Sequence, residues 1–129
     1  LSPQTVAALE PYVTVLPTRT PLNINTASAE ALFASVPALD LSGAKRLVAQ
    51  RTRNHFRSLN DTSSVVRDQA SAFDSTRHSV STGYFEVQGR LRLDKTWVEE
   101  RSLLRRDGIA VTTIWRERGA GATPPAANP

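Results

Sequence analysis

A proline between two stretches of helical periodicity constrains this chain more than any other feature. Apolar residues recur at helical spacing on both sides of Pro37, and a proline ends a helix because it lacks an amide hydrogen and its ring clashes with the preceding turn. The apolar positions are Ala29, Leu32, Phe33 and Val36 before the proline, and Leu41, Ala44, Leu47 and Val48 after it. The sequence therefore predicts two short helices joined by a tight connection, a helix-hairpin-helix.

Polar residues precede both predicted helices. Asn25 and Thr26, followed by Glu30, predict a cap for the first helix, because such side chains bond the free amides of a helix start. Asp40 or Ser42 is expected to cap the second helix. We assign Asn25, Thr26 and Glu30 to helix capping and not to ligand contact.

Beyond the hairpin the apolar period changes from 3.6 to 2. Apolar and polar residues alternate from Tyr84 to Leu93, which is typical of a strand with one buried face. Asp107-Gly108 stands before a second alternating stretch and is a hairpin signal. A tight turn there requires a strand on its other side, so the helix-prone run from Trp97 to Arg106 is also predicted to be a strand. The result is a three-stranded antiparallel meander over about residues 80–116.

The predicted fold class is therefore α+β. We place a helical domain at residues 1–76, antiparallel strands at 77–118, and a disordered tail at 119–129, where Ala, Gly and Pro dominate. In the helical domain, Phe56 and Leu59 are expected to close the core, and a third short helix is expected to contain Val65 and Val66. One apolar sheet face is expected to need a cover, and its members are Phe85, Val87, Leu91, Leu93, Val111 and Trp115.

No catalytic motif is found in the sequence. There is no cysteine, and His55 and His78 lie in separate segments, where each is expected to be a surface or capping residue. Solvated loop acids are the preferred interpretation of three aspartates that could converge on calcium, because their spacing is not that of a calcium loop. These are Asp61, Asp68 and Asp74. We therefore expect no enzyme, no catalytic, metal or cofactor-binding residue, and no cofactor.

Basic residues are spread along the chain. The 16 Lys and Arg against 12 Asp and Glu give a net charge of +4, which is a weak electrostatic signal for a nucleic-acid partner. The arginines at 101, 105, 106, 116 and 118 could form an anion-binding face, although such a set is more often a solvated sheet edge.

From Leu22 to Ala31 the chain resembles DNA-binding helix-hairpin-helix modules of the competence-protein type. In that family two hairpin glycines let backbone amides approach a phosphate, whereas this chain has Ala38 and Asp40 there. A carboxylate about 4 Å from a phosphate costs roughly 1 kcal/mol in bulk water, and more where water is excluded. A DNA-binding module for uptake or repair is the alternative function, but we predict no nucleic-acid partner.

A second resemblance extends over nearly the whole chain. Its pieces are PYVTVLP at 11–17, the block from Leu22 to Glu30, a second helix ending at Arg51, the segment from Phe56 to Leu59, and a strand opening at Tyr84. In this order they resemble the K-type, or large, minor pseudopilin of bacterial type II secretion systems.

This resemblance implies a non-enzymatic structural subunit at the tip of a periplasmic pseudopilus. It implies assembly with the I-type and J-type minor pseudopilins, which initiates the pseudopilus and promotes export of folded proteins, with secreted substrates as further contacts. It also implies a SAM-like helical domain inserted into a pilin-like domain, to which the strands belong. An N-terminal helix absent here would anchor the full-length protein in the inner membrane before assembly and would cover the sheet. Some pseudopilins of this system bind calcium.

Overall fold

The computed structural model describes residues 1–121, apart from the side chains at 69–71, 120 and 121. It divides the chain into two units, a helical unit from Leu1 to Ser81 and a strand unit that begins at Thr82. The helices are α1 (Pro3–Leu9), α2 (Ala29–Ser35) and α3 (Leu41–Arg53), with 3-10 turns at Glu10–Tyr12, Leu59–Ser64 and Arg67–Ala72. The strands are β1 (Leu22–Asn23), β2 (His78–Ser79), β3 (Tyr84–Leu93), β4 (Thr96–Asp107) and β5 (Ala110–Gly121). The predicted α+β class is confirmed.

The helical unit has one apolar core built around the α2–α3 hairpin. Its buried members are Ile24, Leu32, Val36, Leu39, Ala44, Leu47, Phe56, Val66 and Phe73. Phe56 is buried as predicted, but Phe33 is 47% exposed although it belongs to the periodic pattern. The predicted third helix is the 3-10 turn Leu59–Ser64. It ends before Val65 and Val66, of which Val66 is in the core and Val65 packs against it.

The helical unit extends to Ser81, beyond the predicted boundary at residue 76. The cause is a short parallel pairing, in which β2 lies beside β1 with His78 opposite Leu22 and Ser79 opposite Asn23. Leu22 N donates to the carbonyl of Arg77 at 2.8 Å, and Ile24 N donates to that of Ser79 at 2.9 Å. Because sheet pairing depends on a partner far along the chain, two residues of strand carry no local signal.

Ser28, and not Asn25 or Thr26, is the cap of α2. Its hydroxyl accepts a hydrogen bond from Ala31 N at 3.1 Å, and Glu30 lies in the first turn. The predicted cap at Asn25 and Thr26 is therefore corrected, because the chain turns once more after them, with Ala27 N donating to the carbonyl of Asn23. Asp40, one of the two candidates for the second helix, does cap α3.

We expect Ser28→Ala to lower the free energy of unfolding by about 1 kcal/mol, as loss of a helix cap typically does. Thr26→Ala is the matched control, since Thr26 is exposed and precedes the cap. Chemical denaturation followed by circular dichroism at 222 nm measures both. If the threonine variant lost more stability than the serine variant, the cap would belong to Thr26 after all.

The strand unit is the predicted antiparallel meander in the order β3-β4-β5. Its strands are joined by tight turns at Asp94-Lys95 and Gly108-Ile109. Gly108 has φ 60°, which glycine adopts without strain and which suits the first central position of a two-residue hairpin loop. The expected strand from Trp97 to Arg106 is confirmed as part of β4.

β5 differs from the prediction in two ways. It continues to Gly121, with Gly119 opposite Glu99, because β4 is long enough to pair with it. Residues 119–121 are therefore strand and not tail, while 122–129 lie outside the described residues. A register shift also places Ile114 between Thr113, opposite Leu104, and Trp115, opposite Leu103. Residues on either side of such a bulge change face, so Trp115 does not share a face with Val111.

In the described part of the chain, no helix has the length and apolar character needed to cross a membrane.

Candidate functional site

Asn25 joins three segments of the helical unit through its side-chain amide. Nδ2 donates to the carbonyls of Phe56 and Val80, each at 2.9 Å, and Oδ1 accepts from Phe56 N at 2.8 Å. The residue is half-buried. A single side chain thus satisfies backbone groups of two loops, and we call this arrangement the Asn25 junction. The Asn25 amide holds these loops together and is not a helix cap.

Arg51 secures the same block from the other side. Its Nη1 donates to the carbonyl of Ile24 at 2.9 Å and also to that of Ala27. The sequence did not predict that Arg51 holds the turn before α2, because a basic residue near the end of an amphipathic helix is typically solvated. These two carbonyls precede α2 and accept no hydrogen bond of that helix. The guanidinium donates to them and so offsets the free energy lost when a carbonyl is left without a donor.

The hairpin connection has no open phosphate site. Asp40 Oδ1 accepts from Gly43 N at 2.6 Å, so a carboxylate of the chain occupies the amide at the start of α3. A Cβ at Gly43 would lie 2.8 Å from the same oxygen, so the glycine leaves room for this cap. The amide is thus already bonded and the local charge is negative, and both features disfavour a phosphate at this position.

His78 is not the surface or capping residue that the sequence suggested. It is 1% exposed, and its Nε2 lies 3.1 Å from the hydroxyl oxygen of Ser35. Its ring packs against Phe73 with the ring centres 5.1 Å apart. Burial lowers the pKa of His78 from its ordinary value. No short-range pattern identifies a histidine as a core residue, and only its pairing partner β1 explains the position.

Of the three aspartates considered for calcium, Asp61 and Asp74 bond within their own loops and Asp68 is exposed. Asp61 Oδ2 accepts from the backbone amides of Arg57 at 2.8 Å and Ser58 at 3.0 Å. Asp74 accepts from the side chains of Thr76 and Arg77, and these bonds lower the pKa of Asp74. Within residues 1–121 as described, no three His, Asp or Glu side chains gather as a metal site would require.

The two faces of the strand unit differ in chemistry. Residues opposite each other in the ladder share a face, so Glu86, Gln88, Glu99 and Arg101 lie together on one of them. Arg101 Nη2 lies 2.6 Å from Glu86 Oε1, and Gln88 bonds Glu99. We call this the charged face. It is a ladder of exposed cross-strand pairs, each of which contributes little to stability.

The opposite face is apolar along β3 and the facing part of β4. Its exposed apolar members are Phe85, Val87, Leu91, Leu93, Val98 and Val111. Leu91 is 70% and Leu93 75% exposed. We call this set the apolar face. Groups of exposed apolar side chains can mark interaction sites on monomeric proteins, so this face is the candidate interaction surface.

The arginines considered as an anion-binding set do not share one surface. Arg101 and Arg105 lie on the charged face, where Arg105 Nε is 3.1 Å from Asp107 Oδ2. Arg106, Arg116 and Arg118 lie on the side of the apolar face. There Glu100 pairs with Arg116 at 3.1 Å and with Arg118 at 2.7 Å. These five arginines are therefore solvated residues spread over both faces of the sheet and do not form one anion-binding site.

Comparison with known proteins points to a bacterial secretion machine. Residues 22–81 match the family model described as type II secretion system (T2SS), protein K. A curated relative from Pseudomonas aeruginosa, named type II secretion system protein K, is 32% identical over 117 residues. The alignment covers 90% of this chain and 35% of the relative, so the chain spans about a third of the relative's length.

Proposed function

We propose that this chain, whose residues 22–81 match the family model of type II secretion system protein K, is part of a minor pseudopilin of that system. The protein acts by assembly and not by catalysis. It lies at the tip of the pseudopilus, in the periplasm, and helps to start the fibre that promotes export of folded proteins across the outer membrane. We assign no cofactor to this role.

The observation that carries the proposal is the apolar face of the strand unit. Leu91 and Leu93 are exposed over most of their surface, although their alternation with charged residues is that of a half-buried strand. A sheet whose first strand exposes a row of apolar side chains suits a subunit whose sheet packs against further protein. The helical unit, by contrast, has its own core.

The partners that we propose are the I-type and J-type minor pseudopilins, with secreted substrates as further contacts. The relative's length leaves about two-thirds of such a protein outside the present alignment. A hydrophobic N-terminal helix in that remainder would anchor the protein in the inner membrane before assembly and would pack on the apolar face. By covering the apolar face, this helix would stabilise the sheet, because each Å² of buried apolar area contributes about 25 cal/mol.

The test is whether the whole protein that contains this chain forms a complex with the I-type and J-type minor pseudopilins of the same bacterium. Complex formation supports assembly as the function, whereas failure to bind either partner would contradict it.

We expect no salt-dependent, sub-micromolar binding to duplex DNA. The Asp40 carboxylate already bonds the amide at the start of α3, and phosphate contacts are what supply nonspecific affinity for DNA. Fluorescence anisotropy with a labelled duplex at two salt concentrations measures this.

The double variant Ala38→Gly/Asp40→Gly tests the hairpin itself. If only the hairpin prevents DNA binding, the variant gains affinity for duplex DNA. No gain in affinity would mean that other surfaces of the chain also do not fit DNA. A glycine cap costs only a few tenths of a kcal/mol relative to aspartate, so the fold should survive. Tight, salt-sensitive binding by the unaltered chain would instead favour the DNA-binding function.

A further inference from the structure

His78 is a buried histidine at the point where the helical unit closes. It belongs to β2, whose neighbouring carbonyls on Arg77 and Ser79 accept the amides of Leu22 and Ile24. The next carbonyl along, that of Val80, accepts from Asn25. The imidazole therefore lies within the segment that holds β1 and the Asn25 junction in place.

The contacts around the ring favour one tautomer. The Ser35 hydroxyl lies 3.0 Å from the carbonyl of Leu32, to which it can donate its hydrogen, and its oxygen can then accept from His78 Nε2 at 3.1 Å. We therefore assign the hydrogen to Nε2, which makes Nδ1 the unprotonated nitrogen of a neutral ring. Nδ1 is buried and has no hydrogen-bond partner among the side chains and backbone that the structure describes.

Protonation would consequently occur at a nitrogen that has no acceptor. An imidazolium there would place a charged N–H in the core beside Phe73, and burial of an unpaired charge is strongly unfavourable. Desolvation has the largest effect on the pKa of His78 and lowers it. Of the nearby charges, Asp74 favours the protonated ring and Arg77 opposes it. Neither residue of β1 is titratable. The other charged residues of the elements packed around the ring, all exposed, are Glu30, Arg67 and Asp68.

We propose that His78 is a proton-sensitive latch that holds β2 against β1 when neutral and releases the Arg77–Val80 segment when it is protonated. Release removes the acceptors of Leu22 N and Ile24 N and one acceptor of the Asn25 amide. It also frees the stretch of chain that leads to Thr82, where the strand unit begins. Acidification would thus loosen the Arg77–Val80 segment without unfolding the α2–α3 core.

The sign follows from the direction of the pKa shift. The pKa of folded His78 lies below its ordinary value of about 6.5, so the unfolded or released segment binds the proton first. The latch is therefore fully closed above about pH 6.5 and weakens as the pH falls toward the folded pKa.

Amide hydrogen exchange on the 129-residue chain, corrected for the intrinsic effect of pH, tests the latch. Between pH 7.5 and pH 5, we expect the protection of the Leu22 and Ile24 amides to fall by up to about 30-fold, because pH 5 lies only about 1.5 pH units below the ordinary pKa at which the released histidine binds its proton. Amides within α3 should keep their protection. Equal protection of Leu22 and Ile24 at both pH values would overturn the proposal.

Variants and the tautomer give independent readouts. His78→Gln is neutral at every pH and should abolish the pH dependence, and His78→Phe does the same with the ring retained if the glutamine variant folds poorly. His55→Gln, at an exposed histidine, should keep the full dependence. Nitrogen-15 chemical shifts at pH 7.5 should show Nε2 protonated and Nδ1 bare. A protonated Nδ1, or a pH dependence that persists in both His78 variants, would also overturn the proposal.

Discussion

Replacing Asn25 by alanine is expected to lower the free energy of unfolding by about 3 kcal/mol or more, the largest stability effect that we predict for a polar residue here. The variant loses the bonds to the amide and carbonyl of Phe56 and to the carbonyl of Val80. A buried polar group left without its partner costs about 1–3 kcal/mol. Equilibrium denaturation in urea, followed by circular dichroism at 222 nm, gives the value.

Asn60→Ala is the matched control for this loss, because Asn60 is an exposed asparagine of the same unit. Exposed substitutions usually change stability by less than about 0.5 kcal/mol. A second variant, Asn25→Asp, keeps an acceptor for Phe56 N but sets a carboxylate against two carbonyls, so it should be at least as unstable as the alanine variant. A loss below about 1 kcal/mol for Asn25→Ala would show that the junction is not what holds the loops.

Leu91→Glu is expected to abolish complex formation with the minor pseudopilins while leaving this chain folded. The side chain is 70% exposed in the apolar face, so in the isolated chain the change should cost less than about 0.5 kcal/mol. In the whole protein and its complexes the same carboxylate would be buried in an apolar contact, which is unfavourable by several kcal/mol. Co-purification with the I-type and J-type subunits, together with thermal unfolding of the chain and of the whole protein, separates the two effects.

Thr112→Glu serves as the control for charge. It adds one carboxylate on the charged face, opposite Arg105, and should leave both stability and binding unchanged. If Leu91→Glu bound partners as well as the unaltered protein, the apolar face would not be an assembly surface. If Thr112→Glu also lost binding, the contact would include the charged face.

The hairpin of helices was predictable because its information is local. Two periodic stretches and Pro37 fix α2 and α3 with no reference to the rest of the chain. The cap was not, since Asn25, Thr26 and Ser28 are all capping residue types within four positions. What separates them is that Asn25 bonds Phe56 and Val80, which lie 31 and 55 residues away.

The sheet followed the same rule. The alternation from Tyr84 and the Asp-Gly turn predicted the meander, because strand period and turn chemistry are short-range signals. The extension of β5 and the bulge at Ile114 depend on pairing with β4, so the face of Trp115 was assigned wrongly. Polar residues removed from solvent were also missed, since neither the half-buried Arg51 nor the buried His78 has a sequence pattern that distinguishes it from a solvated residue.

The central claim is assembly, and one measurement tests it most directly. The whole protein that contains this chain is mixed with its I-type and J-type minor pseudopilins and analysed by size-exclusion chromatography with light scattering, before and after the Leu91→Glu change. We predict a single complex that contains all three proteins and that is lost in the variant. Separate elution of the unaltered protein under conditions where the I-type and J-type subunits bind each other would contradict the account.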